Sequence, residues 1–162
     1  MKKYLSFMAF AMFAVCSLAF VSCGDDDDEI EGNGSIIGTW KNDLSDDNIL
    51  PEIGPEYFEE YHCYVYYQFK DDGTFIRATV EIIKYTQFAK ETYGEKDGTE
   101  VEIEKGTYKI NGNKISLTTN GETESGEFKV SGNRLILTNT NGIIISVTWS
   151  KVKDSELNQY LK

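Results

Sequence analysis

The sequence predicts an all-β protein, an eight-stranded antiparallel up-and-down β-barrel that follows a signal peptide and a disordered tether. Three observations carry that prediction. Tight-turn residues punctuate the chain at Asp71-Asp72-Gly73, Asn111-Gly112-Asn113, Asn120-Gly121, Ser131-Gly132-Asn133 and Asn141-Gly142, and Asn-Gly and Asp-Gly supply the positive φ angles that tight hairpins need. Between the turns lie β-rich runs at roughly 36–41, 60–70, 74–85, 99–110, 114–119, 122–130, 133–139 and 143–152. The two prolines, Pro51 and Pro55, fall outside all of these runs, as strand ladders require.

The chain opens on Lys2 and Lys3, continues through an apolar segment from Leu5 to Val21 and reaches Ser22-Cys23. A positive start, an apolar stretch and a small residue before the cleavage point make residues 1–22 a signal peptide. The alternative is an uncleaved membrane anchor. Cys23 resembles the lipobox cysteine of bacterial lipoproteins. That resemblance implies an acylated, palmitate-bearing thiol at the mature N-terminus and a lipid anchor in the outer membrane of a Gram-negative bacterium. The run Asp25, Asp26, Asp27, Asp28 resembles the export tag that takes some of these lipoproteins to the cell surface. Residues 23–35 combine charge repulsion with Gly and Asn and read as a flexible acidic tether. Extended, its part from Gly24 to Ser35 reaches roughly 40 Å at about 3.3–3.6 Å per residue.

The domain proper is expected over 36–162, long enough for a single core. Sixteen basic residues face 27 acidic ones, for a net charge of −11, and loss of Lys2 and Lys3 with the signal deepens it to −13. Nucleic acid is excluded as a partner on that ground, because phosphate binding needs a basic face. With Cys16 in the signal and Cys23 acylated, Cys63 is left as a lone thiol and no internal disulfide forms.

Alternation assigns the faces of the later strands. Tyr108 and Ile110, Ile115 and Leu117, Phe128 and Val130, Leu135 and Leu137 fall in step, and Ile143, Ile145, Val147 and Trp149 continue the pattern. A gapless echo, 108–118 against 128–138, repeats one hairpin chemistry twice. In 99–110 the apolar phase slips between Ile103 and Tyr108, and Gly106 is expected to mark a bulge. The strands 60–70 and 74–85 stay open. Pairing Phe69 with Phe75 puts Arg77, Thr79 and Glu81 on their face and Ile76, Ala78, Val80 and Ile82 on the other, and either face can be the interior. Segment 155–161 is expected to form a terminal helical turn. Eight such strands close into a barrel without exposed edges; a two-sheet sandwich is the alternative.

At Gly38-Thr39-Trp40 the chain resembles the lipocalin (calycin) superfamily, and more closely the lipocalin-like domains of bacterial surface lipoproteins. Their G-T-W start, F-x-x-D-G-T hairpin and G-x-Y-x-I-x-G-N unit are matched by Gly38-Thr39-Trp40, Phe69-Lys70-Asp71-Asp72-Gly73-Thr74 and Gly106-Thr107-Tyr108-Lys109-Ile110-Asn111-Gly112-Asn113. The resemblance implies that Trp40 is a structural plug at the closed end of the barrel. The family's capping arginine after the last strand is missing, so Lys151 or Lys153 would take its place over the indole. It further implies that the 42–59 connection covers the open mouth, with 86–98 able to share that end.

No enzyme motif and no cofactor motif is present. His62 and Cys63 are neighbours in a strand and point to opposite faces, so they make no nucleophile–base pair. One histidine and one usable cysteine exclude zinc. Asp43, Asp46, Asp47 and Asn48 lack the spacing of a calcium loop. The best binding candidates are the tyrosines Tyr57, Tyr61, Tyr64, Tyr66 and Tyr67, whose flat faces and hydroxyl handles suit a glycan, a peptide or an envelope protein partner. Ordinary core packing is the other reading of the same cluster. Two functions are therefore expected: a non-enzymatic barrel that takes a small lipophilic ligand, glycan or peptide at its mouth, or a solid-core interaction or inhibitor module.

Overall fold

A computed structural model describes residues 34–45, 56–139 and 145–162, with the side chains of Asn139 and Ile145 left aside. The signal peptide, Cys23, Asp25–Asp28, most of the 42–59 connection and the Asn141-Gly142 turn lie outside the described residues. Eight strands follow one another as β1 (Gly38–Asp43), β2 (Phe58–Phe69), β3 (Thr74–Tyr85), β4 (Gly98–Asn111), β5 (Lys114–Thr119), β6 (Glu122–Ser131), β7 (Arg134–Asn139) and β8 (Ile145–Val152). Each pairs antiparallel with its neighbour in sequence, and β1 pairs with β8, so the sheet closes into an up-and-down barrel. Among the described residues two short helices accompany the strands: α1 (Gln87–Tyr93) between β3 and β4, and α2 (Asp154–Asn158) after β8.

The turn residues sit where the chemistry requires. Gly73, Gly112 and Gly132 have φ of 79°, 63° and 54°, and Asn120 at 54° shares its turn with Gly121 at 87°. Only Asn120 among these carries a side chain, and asparagine tolerates the left-handed region.

The open question about β2 and β3 resolves in favour of Phe69 and Phe75. Both rings belong to the interior cluster with Trp40, Val65, Tyr67, Ile115, Phe128, Leu135 and Trp149. Arg77, Thr79 and Glu81 therefore face the interior by alternation. The opposite face is not left to water. Leu157 of α2 packs on Tyr66, Ala78 and Val80 outside the barrel, with Ile82, Tyr160 and Leu161 around them. Both faces of β2 and β3 are buried at this level, and simple alternation could not choose between them.

The bulge expected at Gly106 is not formed. The β3–β4 register runs without a shift from Thr74↔Thr107 through Phe75↔Gly106 to Ile83↔Gly98. The apparent phase slip arises because Val101 and Ile103 point outward and are exposed. Gly106 instead makes room for its neighbours. A Cβ there would collide with the Thr118 carbonyl oxygen and stand 2.6 Å from the Phe75 ring.

At the Ile36 end, Trp40 is fully buried and donates its indole N–H to the Ile36 carbonyl at 2.7 Å. Gly34 lies against Val130, its N–H 3.4 Å from the Val130 carbonyl oxygen. Antiparallel order places the β2–β3, β4–β5 and β6–β7 turns at this closed end. The β1–β2, β3–β4, β5–β6 and β7–β8 connections fall at the other.

Candidate functional site

The barrel interior changes character along its axis. In the closed half, aromatic rings fill the space: Tyr67 stacks on Phe69 at 5.5 Å, meets Trp149 edge-on at 5.0 Å, and Phe69 meets Tyr108 at 5.1 Å. Such pairs hold their geometry through the ring quadrupole in addition to area burial. Tyr108 tightens the closed end further, donating its hydroxyl to the Lys70 carbonyl at 2.6 Å.

Above Tyr67 the interior positions become polar. Arg77 and Glu104 are direct partners across β3 and β4 and form an ion pair at 3.1 Å. Tyr61 donates its hydroxyl to Glu81 at 2.9 Å, and Glu81 stands opposite Cys63 in the β2–β3 register. Glu124 is the partner of Leu117, which packs on the interior cluster. These groups feel one another. Burial, then the carboxylates of Glu124 and Glu104, push the Tyr67 hydroxyl up, against the pull of Arg77. Burial and the Glu81 charge push the Cys63 thiol up to about 11. The same burial, with Cys63 and Glu81 beside it, raises Tyr61. Each of these groups is neutral at physiological pH, so the arrangement offers hydrogen bonds and carboxylate charge rather than a nucleophile.

The rim at the open end is aromatic. Tyr57 meets Phe58, Tyr85 and Tyr93 at 5.1, 5.7 and 5.5 Å, and Phe58 meets Tyr61 at 5.8 Å. Helix α1 brings Tyr93 and Phe88 to this rim, where they are 59% and 52% exposed. Local signals build the helix: the Thr86 hydroxyl accepts from the Ala89 N–H at 3.2 Å as an N-cap, and Gly94 closes the C-terminus at φ 73°. Asp97 anchors the return, accepting from the Tyr85 N–H at 2.8 Å and pairing with Lys90 at 2.9 Å. The Tyr57 hydroxyl donates to Glu95 at 3.0 Å and is pushed up to about 12 by its surroundings and that carboxylate.

The five tyrosines singled out in the sequence therefore do not form one site. Tyr67 belongs to the packed closed half, Tyr61 to the polar upper interior and Tyr57 to the rim. Tyr64 and Tyr66 lie on the outer face. There the Lys41 ammonium sits 3.8 Å from the Tyr64 ring centre and His62 stacks on Tyr64 at 5.9 Å. Tyr66 is buried beneath α2, near Tyr160, with its hydroxyl 3.3 Å from Glu156. His62 and Cys63 point to opposite sides of the wall. Sequence reasoning left Glu81 open as an interior group, and missed Glu104 and Glu124 in the interior and Tyr85, Phe88 and Tyr93 at the rim. The shared parity of Glu104 with Tyr108 and of Glu124 with Phe128 was the available signal for the two carboxylates.

A family model described as a lipocalin-like domain matches residues 36–137, more than half of the chain. No curated protein and no solved structure matches it.

Proposed function

This chain belongs to the lipocalin-like domain family, and from that premise we propose that it is a non-enzymatic binding lipoprotein that takes a small ligand through the open end of its barrel. The observation that carries the reading is the switch in the interior from packed rings below Tyr67 to polar side chains above it. An interior built only for stability has no need of the half-buried Glu81, Arg77 and Glu104, since apolar side chains of the same volume would add packing without the cost of partly desolvating charge. The same groups narrow the ligand. A wholly apolar molecule would strip water from the carboxylates without replacing it, so a lipophilic ligand must carry a polar end, as a glycan or peptide side chain also would.

The anchor is proposed from residues 1–28 alone: acylation of Cys23, residence in the outer membrane, and surface display through Asp25–Asp28. A second reading, a solid-core interaction or inhibitor module without a small ligand, draws support from the extent to which aromatic rings fill the closed half. Native mass spectrometry of the full protein, gently purified from its own host, separates the two. A reproducible adduct lost on denaturation supports the carrier, and a clean apo mass supports the module. Cys23→Ser should release the protein from membranes; retention of the variant there overturns the anchor.

A further inference from the structure

The polar part of the interior is unbalanced in charge. Glu81, Glu104 and Glu124 face inward, and Arg77 pairs with Glu104. Glu100 stands directly across from Glu81 on the same face of the β3–β4 pair. Like charges directly opposite one another weaken a strand pair, yet this pair is held at the mouth. In the 86–98 connection Lys90 of α1 is engaged by Asp97, and Lys96 is the other basic residue. Among the described residues no three His, Cys, Asp or Glu side chains converge as a metal site, so the carboxylates suit an organic cation better than a metal ion.

An independent feature lies deeper. Trp149 is 4% exposed and packs edge-on to Tyr67 inside the barrel, and its indole N–H meets no acceptor among the described residues. Trp40, the other tryptophan, has its N–H satisfied by Ile36. Buried donors are almost always paired, so this one, inside the barrel, is open to an acceptor that the described residues do not supply.

We propose that the lumen takes an organic amine. Its protonated nitrogen sits at the level of Glu81 and Glu100, its flat apolar body lies against Tyr67, and an oxygen at its far end accepts the Trp149 N–H. The inference rests on the lumen-binding reading above and gives that ligand a charge and a hydrogen-bonding end. Recognition of this kind needs both ends at once, because a buried polar group left unpaired discriminates strongly against an analogue that lacks the partner.

The test is calorimetric titration of the full chain with three probes: tyramine, 3-(4-hydroxyphenyl)propionate, which replaces the amine by a carboxylate, and 2-phenylethylamine, which lacks the oxygen. Tyramine is expected to bind at least ~10-fold more tightly than the carboxylate probe. Glu81→Gln, which keeps an acceptor for the Tyr61 hydroxyl, should weaken tyramine by a similar factor while melting no lower than the parent protein. Trp149→Phe should weaken tyramine and leave 2-phenylethylamine unchanged. Equal binding of the carboxylate probe, or tyramine affinity indifferent to Glu81→Gln, overturns the amine assignment and leaves lumen binding standing. Absence of binding by all three probes up to about 1 mM overturns the inference, and with a clean apo mass from the host it removes the lumen reading as well.

Discussion

The Lys151 ammonium lies 5.1 Å from the centre of the Trp40 indole ring, and the two residues are direct partners across the β1–β8 seam. The closed end is thus capped by a cation over an aromatic plug at the seam where first and last strands meet. Of the two lysines left by the missing family arginine, Lys151 is the one over the ring. Its stem runs past Gly38, whose φ of 125° and missing Cβ leave the path open. Lys151→Ala is expected to lower stability by about 1 kcal/mol, the scale of a partly desolvated cation–π contact, while Lys151→Arg retains it. Trp40→Ala should cost about 3–5 kcal/mol as a core deletion. Urea unfolding of the three variants checks the order.

Gly106 is expected to tolerate no side chain. In Gly106→Ala the new Cβ meets the Thr118 backbone carbonyl, which has no rotamer to retreat into. The loss should reach about 3 kcal/mol, the upper range of overpacking. Adding Phe75→Leu relieves the ring contact but leaves the carbonyl in place, so the double variant should recover little. Full recovery in thermal melts would show the ring to be the obstacle instead.

Leu157 is fully buried on the outside of the barrel against Tyr66, Ala78 and Val80. Leu157→Ala should cost about 2–4 kcal/mol and increase binding of a hydrophobic dye, because it uncovers an apolar outer wall. Thr39 and Lys41, which reach Asp154 at 2.7 Å and Glu156 at 3.0 Å, tie α2 to β1. Exposed ion pairs of this type contribute little, so Lys41→Ala should lower stability by less than about 1 kcal/mol.

Cys63 makes stability depend on alkaline pH. Its folded thiol is raised from 9.0 to about 11 by burial first and the Glu81 charge second. A group whose folded value is raised contributes fully below the unfolded value and loses its contribution as pH climbs through the folded one. Stability should therefore fall between pH 9 and 11, by at most roughly 2 kcal/mol from this group, and Cys63→Val should flatten that part of the profile. Alkylation of the native thiol at pH 8 should be slow for the same reason. An unchanged alkaline slope in the variant assigns the fall to other groups.

The barrel was legible because its turns are chemically explicit. Asn120-Gly121 and its counterparts leave few alternatives to hairpins, and the strand limits follow within a residue or two. The interior was less legible for a physical reason. β2 and β3 are covered on the inside by the barrel and on the outside by α2, so Tyr66 and Tyr67 are both buried and periodicity carries no information about direction. Val101 and Ile103 misled in the opposite way, being apolar but exposed, and they made a continuous register look broken at Gly106. Helix α1 was passed over although Thr86 and Gly94 are ordinary start and stop residues, since seven residues give too few turns for a periodic pattern. The candidate tyrosines scattered to four locations because neighbours in a strand alternate across the wall and successive inward positions climb the barrel, whereas the carboxylates Glu81, Glu104 and Glu124, distant in sequence, share an interior.

Closure between β1 and β8 has a consequence in time. Trp40 and its strand are made early in the domain, yet β8, their partner on one side, and α2, which Thr39 and Lys41 of the same strand reach, lie within residues 145–162. A contact between chain ends is the slowest kind to form. Any machine that feeds the chain through N-terminus first, whether a ribosome or a secretion pore, holds a strand paired on one side only and an uncovered outer wall on β2 and β3 until β8 and α2 emerge. The nascent domain has no stable halfway house: it folds late and all at once, and until then it depends on whatever shields that strand from its neighbours.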